Sequence, residues 1–138
     1  MDPRGCSLSP SNPIRIAAVI LKNHDGEILS VRKAGTSAFM LPGGKLEPGE
    51  DPMSTAIREI SEELHLELIA DELDHLGRFS APAANEAGRD VDCDVFVSAQ
   101  RLDRVPEVFE EIEEAAYFPA DSTSTDLAPL SLAIFPML

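Results

Sequence analysis

The chain has 138 residues, of which 43% are apolar, and it carries a formal net charge of −14. That is enough sequence to bury one substantial core, and no apolar run approaches membrane-spanning length. So acidic a balance argues against a nucleic-acid polymer as partner, because backbone binding needs a basic face to displace counterions.

Residues 1–13 (MDPRGCSLSPSNP) are polar and Pro-rich, without the charged start and apolar core of a signal peptide. They read as a flexible N-terminal tail before a single domain over residues 14–138, with the cytoplasm as the expected location and no membrane contact. Cys6 and Cys93 show no CxxC spacing and read as reduced thiols. Ile14–Asn23 is almost continuously apolar and rich in Ile and Val, the pattern of a strand covered on both faces. Asp25-Gly26 supplies a turn before a second strand-like run, Glu27–Lys33, so a β-hairpin is expected. Phe39–Leu41 extends the sheet until Pro42-Gly43-Gly44 breaks it.

After the Pro48-Gly49 turn, Asp51-Pro52 starts a helix. Asp accepts hydrogen bonds from first-turn amides, and Pro suits the first helical position. The helix runs to about His65. Met53, Ala56, Ile57, Ile60 and Leu64 share one arc, the core face. Glu59, Glu62 and Glu63 fall on a separate arc. Leu73–Ser80 is a weaker strand candidate, and Ala81–Arg89 reads as a loop. Asp90–Val97 alternates, with Val91, Cys93, Val95 and Val97 opposite Asp92 and Asp94. An acidic run, Glu107–Glu114, leads into a short strand ending at Pro119. Leu127–Leu138 closes the chain as a short apolar helix interrupted by Pro129 and Pro136. Strands mixed with one well-defined central helix indicate a layered α/β domain.

The chemistry concentrates in Gly44–Leu66. Like charges three and four apart on a helix cost about 0.2–0.5 kcal/mol per pair, so three carboxylates on one short helix make sense around positive charge. Gly43 and Gly44 at the entrance allow the backbone to approach a ligand closely. A hard divalent cation takes oxygen ligands and keeps substrate phosphates in its shell. A second acidic segment converging on the same cleft would complete a cation site. A phosphate-cradling GxxxxGK[ST] loop is excluded, because Lys45 is followed by Leu46. His24, His65 and His75 lack mutual metal spacing, and no Ser or Cys lies in an activating context.

Gly44, Glu50, Arg58, Glu59, Ile60, Glu62, Glu63 and Leu66 match G-x5-E-x7-R-E-U-x-E-E-x-G-U, where U is a bulky aliphatic: eight of nine specified positions over 23 residues. The stretch resembles the Nudix (MutT-like) hydrolase box. The resemblance implies an α/β/α sandwich around a mixed β-sheet. It implies Mg²⁺- or Mn²⁺-dependent hydrolysis of a nucleoside diphosphate linked to another moiety. It further implies Glu59, Glu62 and Glu63 as metal ligands together with the Gly44 carbonyl, Glu59 as a candidate general base, and a Glu50–Arg58 salt bridge that orients loop and helix. An acid beyond the box joins such sites; Glu111 is the choice here, with Glu114 the alternative. Arg32 and Lys45 are the expected substrate-phosphate contacts, with Lys33 beside Arg32 able to face the phosphates too.

One position departs from the pattern. The box glycine is His65. Glycine there adopts the left-handed conformation that ends a helix, and another residue pays about 1–2 kcal/mol, although His visits that region more than most. The leading expectation is a nucleoside triphosphate pyrophosphohydrolase, a monomer or homodimer acting on a small nucleotide. The alternatives are an ADP-ribose or nucleotide-sugar pyrophosphatase, to which Pro82 sixteen residues beyond the box is a weak pointer, and a catalytically silent nucleotide-sensing or protein-binding module.

Overall fold

A computed structural model describes residues 13–84 and 88–138. The expected tail, apart from Pro13, and the middle of the expected loop, residues 85–87, lie outside the described residues. In chain order the elements are β1 (Ile14–Asn23), β2 (Ile28–Lys33), β3 (Gly43–Lys45), α1 (Pro52–Leu64), a 3₁₀ turn (Ala70–Glu72), β4 (Leu73–Pro82), β5 (Asp90–Leu102), β6 (Ile112–Phe118), α2 (Pro129–Ile134) and a second 3₁₀ turn (Phe135–Met137).

Among the described residues, six strands form one mixed sheet in the order β4-β5-β1-β2-β6, with β3 also on β1. β1 runs parallel to β5, from Ile14 opposite Val91 to Asn23 opposite Leu102. The β1–β2 hairpin forms as expected, with Lys22 opposite Ile28 and Gly26 at φ 80° in the turn. Further along β1, Ala17 and Ala18 pair instead with Gly44 and Gly43 of β3. The sheet therefore brings the glycine pair against its own central strand. Phe39 and Met40 make isolated bridges to Leu127 and Val31.

Among the described residues each sheet face carries one α-helix, the α/β/α arrangement expected. On one face Ala56, Ile60 and Leu64 of α1 are buried against Ala17, Val19 and Leu21 of β1 and Leu29 and Val31 of β2. Met53 and Ile57 pack partly buried at its margin. Each fully buried aliphatic side chain contributes roughly 1.5–3 kcal/mol, so this face fixes how α1 lies on the sheet. On the other face Ile20, Ile28, Cys93 and Val95 meet Leu130, Ile134 and Phe135. Cys93 is a free, buried thiol.

The structure corrects several expectations. Pro42-Gly43-Gly44 does not break the sheet, because Gly43 and Gly44 enter it as β3, opposite Ala18 and Ala17. Pro129 does not interrupt the closing helix but begins it, where its missing N–H is no loss. β5 continues to Leu102 because β1 pairs with it along that length. β4 reaches Pro82, which pairs with Asp90. Asp94, on the face of β5 opposite the apolar row, is buried and paired, accepting from Arg15 at 3.1 Å and lying 2.9 Å from His75. A buried carboxylate needs such partners.

Candidate active site

Helix α1 is held at both ends by its sequence. The Asp51 side chain accepts from the Ser54 amide at 2.8 Å, and Pro52 follows at the first helical position. At the other end His65 takes φ 53° and ψ 35°, and its amide donates to the Ser61 carbonyl. Histidine thus adopts the left-handed geometry that glycine would supply, and the helix stops at Leu64.

Arg58 organises the entrance. Its Nε and Nη2 donate to Glu50 Oε2 and Oε1 at 2.8 and 2.9 Å, and Nη1 donates to Glu59 Oε2 at 3.0 Å and to Glu62 Oε1 at 3.3 Å. Nη2 also reaches the Lys45 carbonyl at 3.3 Å. Glu50 accepts in addition from the Thr55 hydroxyl at 2.6 Å and the Glu47 amide at 3.1 Å. Arg58, then the Thr55 hydroxyl and the Glu47 amide, hold the Glu50 carboxyl down at about 2. The turn from Lys45 to Glu50 is therefore tied to the helix by charge-assisted bonds.

The acidic arc is not uniformly solvated. Glu62 lies at the surface, its side chain 49% exposed, whereas Glu63 is 1% exposed. Burial, reinforced by Glu59 and Glu111, pushes the Glu63 carboxyl up to about 8, against a backbone hydrogen bond from Gly43. Burial raises Glu59 as well, opposed by Arg58. The structure brings Glu111 to this pair: it acts electrostatically on both Glu59 and Glu63 and lines the same cavity as Glu59. Glu114 instead accepts from Arg32 Nη2 at 3.0 Å.

Two observations fit a hard cation here. Glu63 Oε1 is buried without a hydrogen-bond partner, a costly arrangement unless something positive faces it. A Cβ built on Gly44 would lie 2.3 Å from the Glu59 carboxyl carbon, so backbone and carboxylate approach more closely than any side chain at that position permits. The donor set is oxygen only, as Mg²⁺ or Mn²⁺ prefers. Among the described residues no three Asp, Glu, His or Cys side chains are placed as a group that could hold a metal ion; Arg58 bonds both Glu59 and Glu62.

Glu59 and Glu111 line a cavity of about 330 Å³. Gly43, Gly44, Lys45 and Lys33 line it with them, and its apolar lining includes Ile14, Ile16, Pro82, Val91, Ala128 and Leu130. Arg32, expected at the phosphates, is not brought there. Alternation along β2 sends it the other way from Lys33, onto Glu113, Glu114 and the Thr36 carbonyl. Lys33 takes the place facing the acids. The apolar wall was not legible as a site, since its residues come from β1, β4, β5 and the start of α2 and read individually as core.

Comparison with known proteins identifies the family and the fold. The NUDIX domain family matches residues 12–137. A MutT-like protein of Streptomyces ambofaciens is 34% identical over 72 residues, 52% of this chain and 46% of that protein. An 8-oxo-dGTP diphosphatase of Escherichia coli K12 is 36% identical over 55 residues, 37% of this chain and 43% of that protein. The chain thus spans less than half the length of these curated relatives. The crystal structure of a MutT NUDIX hydrolase from Burkholderia pseudomallei shares the fold, with a TM-score of 0.76 at 22% identity, covering 93% of this chain and 99% of that one.

Proposed function

This chain belongs to the Nudix hydrolase family, and on that premise we propose that it is a divalent-metal-dependent pyrophosphohydrolase of small nucleotides, acting on nucleoside triphosphates. The observation that carries the reading is the convergence of Glu59 and Glu111 with the Gly44 turn on one largely apolar cavity, with the buried Glu63 carboxyl under the charge of both. A cavity that combines charged and apolar lining suits a molecule with a phosphate chain and a flat base.

Glu59, Glu62, Glu63, Glu111 and the Gly44 carbonyl would hold Mg²⁺ or Mn²⁺. Such an ion supplies charge neutralisation at the diphosphate oxygens and acidifies a bound water. Glu59 is the candidate to accept the proton of the attacking water, being half-buried at the cavity wall. Lys33 and Lys45 would face the phosphates. Glu50 and Arg58 act on the substrate only indirectly, by fixing the turn that presents the Gly44 carbonyl. The apolar wall would receive the base and exclude water from its faces.

A panel of substrates with Mg²⁺ tests this: nucleoside triphosphates, oxidised ones included, ADP-ribose, nucleotide sugars and dinucleoside polyphosphates. Release of nucleoside monophosphate and pyrophosphate from the triphosphates is expected. Pro82 on the cavity wall favours a second reading, ADP-ribose hydrolysis, and turnover of ADP-ribose alone would establish it instead. Hydrolysis of none of them would point to a catalytically silent binding module.

A further inference from the structure

We propose that His65 is a positioning residue: stacked on Phe109, its ring latches the loop that carries Glu111 onto the turn of α1 that carries Glu63. The activity arm of this inference rests on the hydrolase reading above; its structural arm does not.

At φ 53° His65 occupies a conformation that glycine adopts without strain. A side chain there is a cost, so the ring should do something a glycine could not. It lies flat on Phe109, with ring centroids 3.5 Å apart and planes 5° from parallel. His65 is exposed and Phe109 half-buried, so the stack adds little to the core. It acts instead on the loop. The Phe109 amide donates to the Glu63 carbonyl at 2.8 Å, satisfying one of the last-turn carbonyls that a helix leaves unpaired.

The loop then reverses sharply. Glu110 is the second non-glycine residue at positive φ among the described residues, at 57°. The Ile112 amide closes back on the Phe109 carbonyl at 3.2 Å, and the Glu111 carbonyl accepts from the Ala34 amide at 2.8 Å. Glu111 is thus held from both sides, by the end of β2 and by a latch on α1. Two strained residues persist only where their surroundings over-determine them, and the His65–Phe109 stack is the part of those surroundings contributed by a side chain foreign to the box. The ring joins the carboxylate beyond the box to the last carboxylate within it.

The test compares His65→Gly, which removes the ring while relieving the backbone, with His65→Tyr, which keeps a ring. Thermal unfolding should show that His65→Gly is still folded. Amide exchange at Phe109 and Ile112, followed by NMR, should accelerate about fivefold in His65→Gly, as expected for loss of an aromatic pair, and return to within about twofold of wild type in His65→Tyr. Turnover with Mg²⁺ should fall about fivefold in His65→Gly with KM little changed, and by less than about twofold when Glu111→Gln is already present, since coupled sites are not additive. Unchanged Phe109 exchange in His65→Gly overturns the proposal. So does an equal fall in turnover with and without Glu111. A wild-type protein that turns over no substrate would count against the hydrolase reading, and the exchange comparison would still decide the latch.

Discussion

Arg58 grips Glu50 with two parallel hydrogen bonds, Nε to Oε2 at 2.8 Å and Nη2 to Oε1 at 2.9 Å, and spends its remaining nitrogen on Glu59 and Glu62. One guanidinium thereby sets both the turn before the helix and the direction in which two helix carboxylates point. Lys keeps the charge but has no planar fork. Arg58→Lys should lower Tm by roughly 5 °C and cut Mg²⁺-dependent turnover by about 10–100-fold, the usual cost of losing a group that orients metal ligands. Calorimetry and initial rates measured side by side check both.

The same pair sets an acid limit. The Glu50 carboxyl sits at about 2 in the folded protein, below the ordinary carboxylate range of about 4.3. Its contribution to stability is therefore complete above that ordinary value and is lost as pH falls through about 2. Unfolding measured from pH 5 to pH 2 should show Glu50→Gln flattening this acid-dependent fall, with the gap between variant and wild type widest at the upper end.

The two glycines at the entrance differ in kind. A Cβ on Gly43 would lie 2.1 Å from the Ala17 carbonyl oxygen and 2.7 Å from the Ala18 Cα, both backbone atoms of the central strand, whereas on Gly44 it would meet the Glu59 carboxyl. Gly43→Ala should destabilise the fold by about 3 kcal/mol, the scale of forced overpacking. Gly44→Ala should remain folded and lose turnover, because Glu59 can move only by leaving Arg58. Denaturant titration beside a rate assay separates the two.

Alternation along β2 gives neighbouring cations different work. Lys33→Met should raise KM about tenfold, the equivalent of about 1.4 kcal/mol of lost ground-state binding, with Tm nearly unchanged. Arg32→Met should leave KM unchanged and cost a little thermal stability, since Arg32 holds Glu113 and Glu114 on β6. Michaelis curves on both variants provide the check.

Local chemistry made much of this readable in advance. Ile14–Asn23 had to be a covered strand, and Asp51-Pro52 had to start a helix; both stand as expected. What escaped depended on partners distant in sequence. Glu111 and Glu114 were indistinguishable until the register of β6 was fixed by β2, where Glu114 faces Arg32 and an irregularity follows at Lys33 opposite Ile112. Arg32 and Lys33 were separable in principle by the twofold period of a strand, had the face of the site been known. The burial of Glu63 was hidden because helical arcs give direction and no depth. Its carboxyl lies where α1 meets β3 and the 109–111 loop, elements that the sequence does not place against one another.

The measurement that bears most directly on the account is Glu63→Gln, which keeps the side-chain volume and replaces the carboxyl that carries the buried orphan oxygen with an amide that cannot ionise. In wild type, Mn²⁺ or Mg²⁺ should raise Tm in proportion to occupancy and support nucleotide hydrolysis. In Glu63→Gln the protein should stay folded, the metal-dependent rise in Tm should disappear, and turnover should fall by at least about 100-fold, more than loss of an orienting partner costs. A folded Glu63→Gln protein with wild-type turnover and an undiminished metal response would contradict the assignment of this helix as the metal-binding centre.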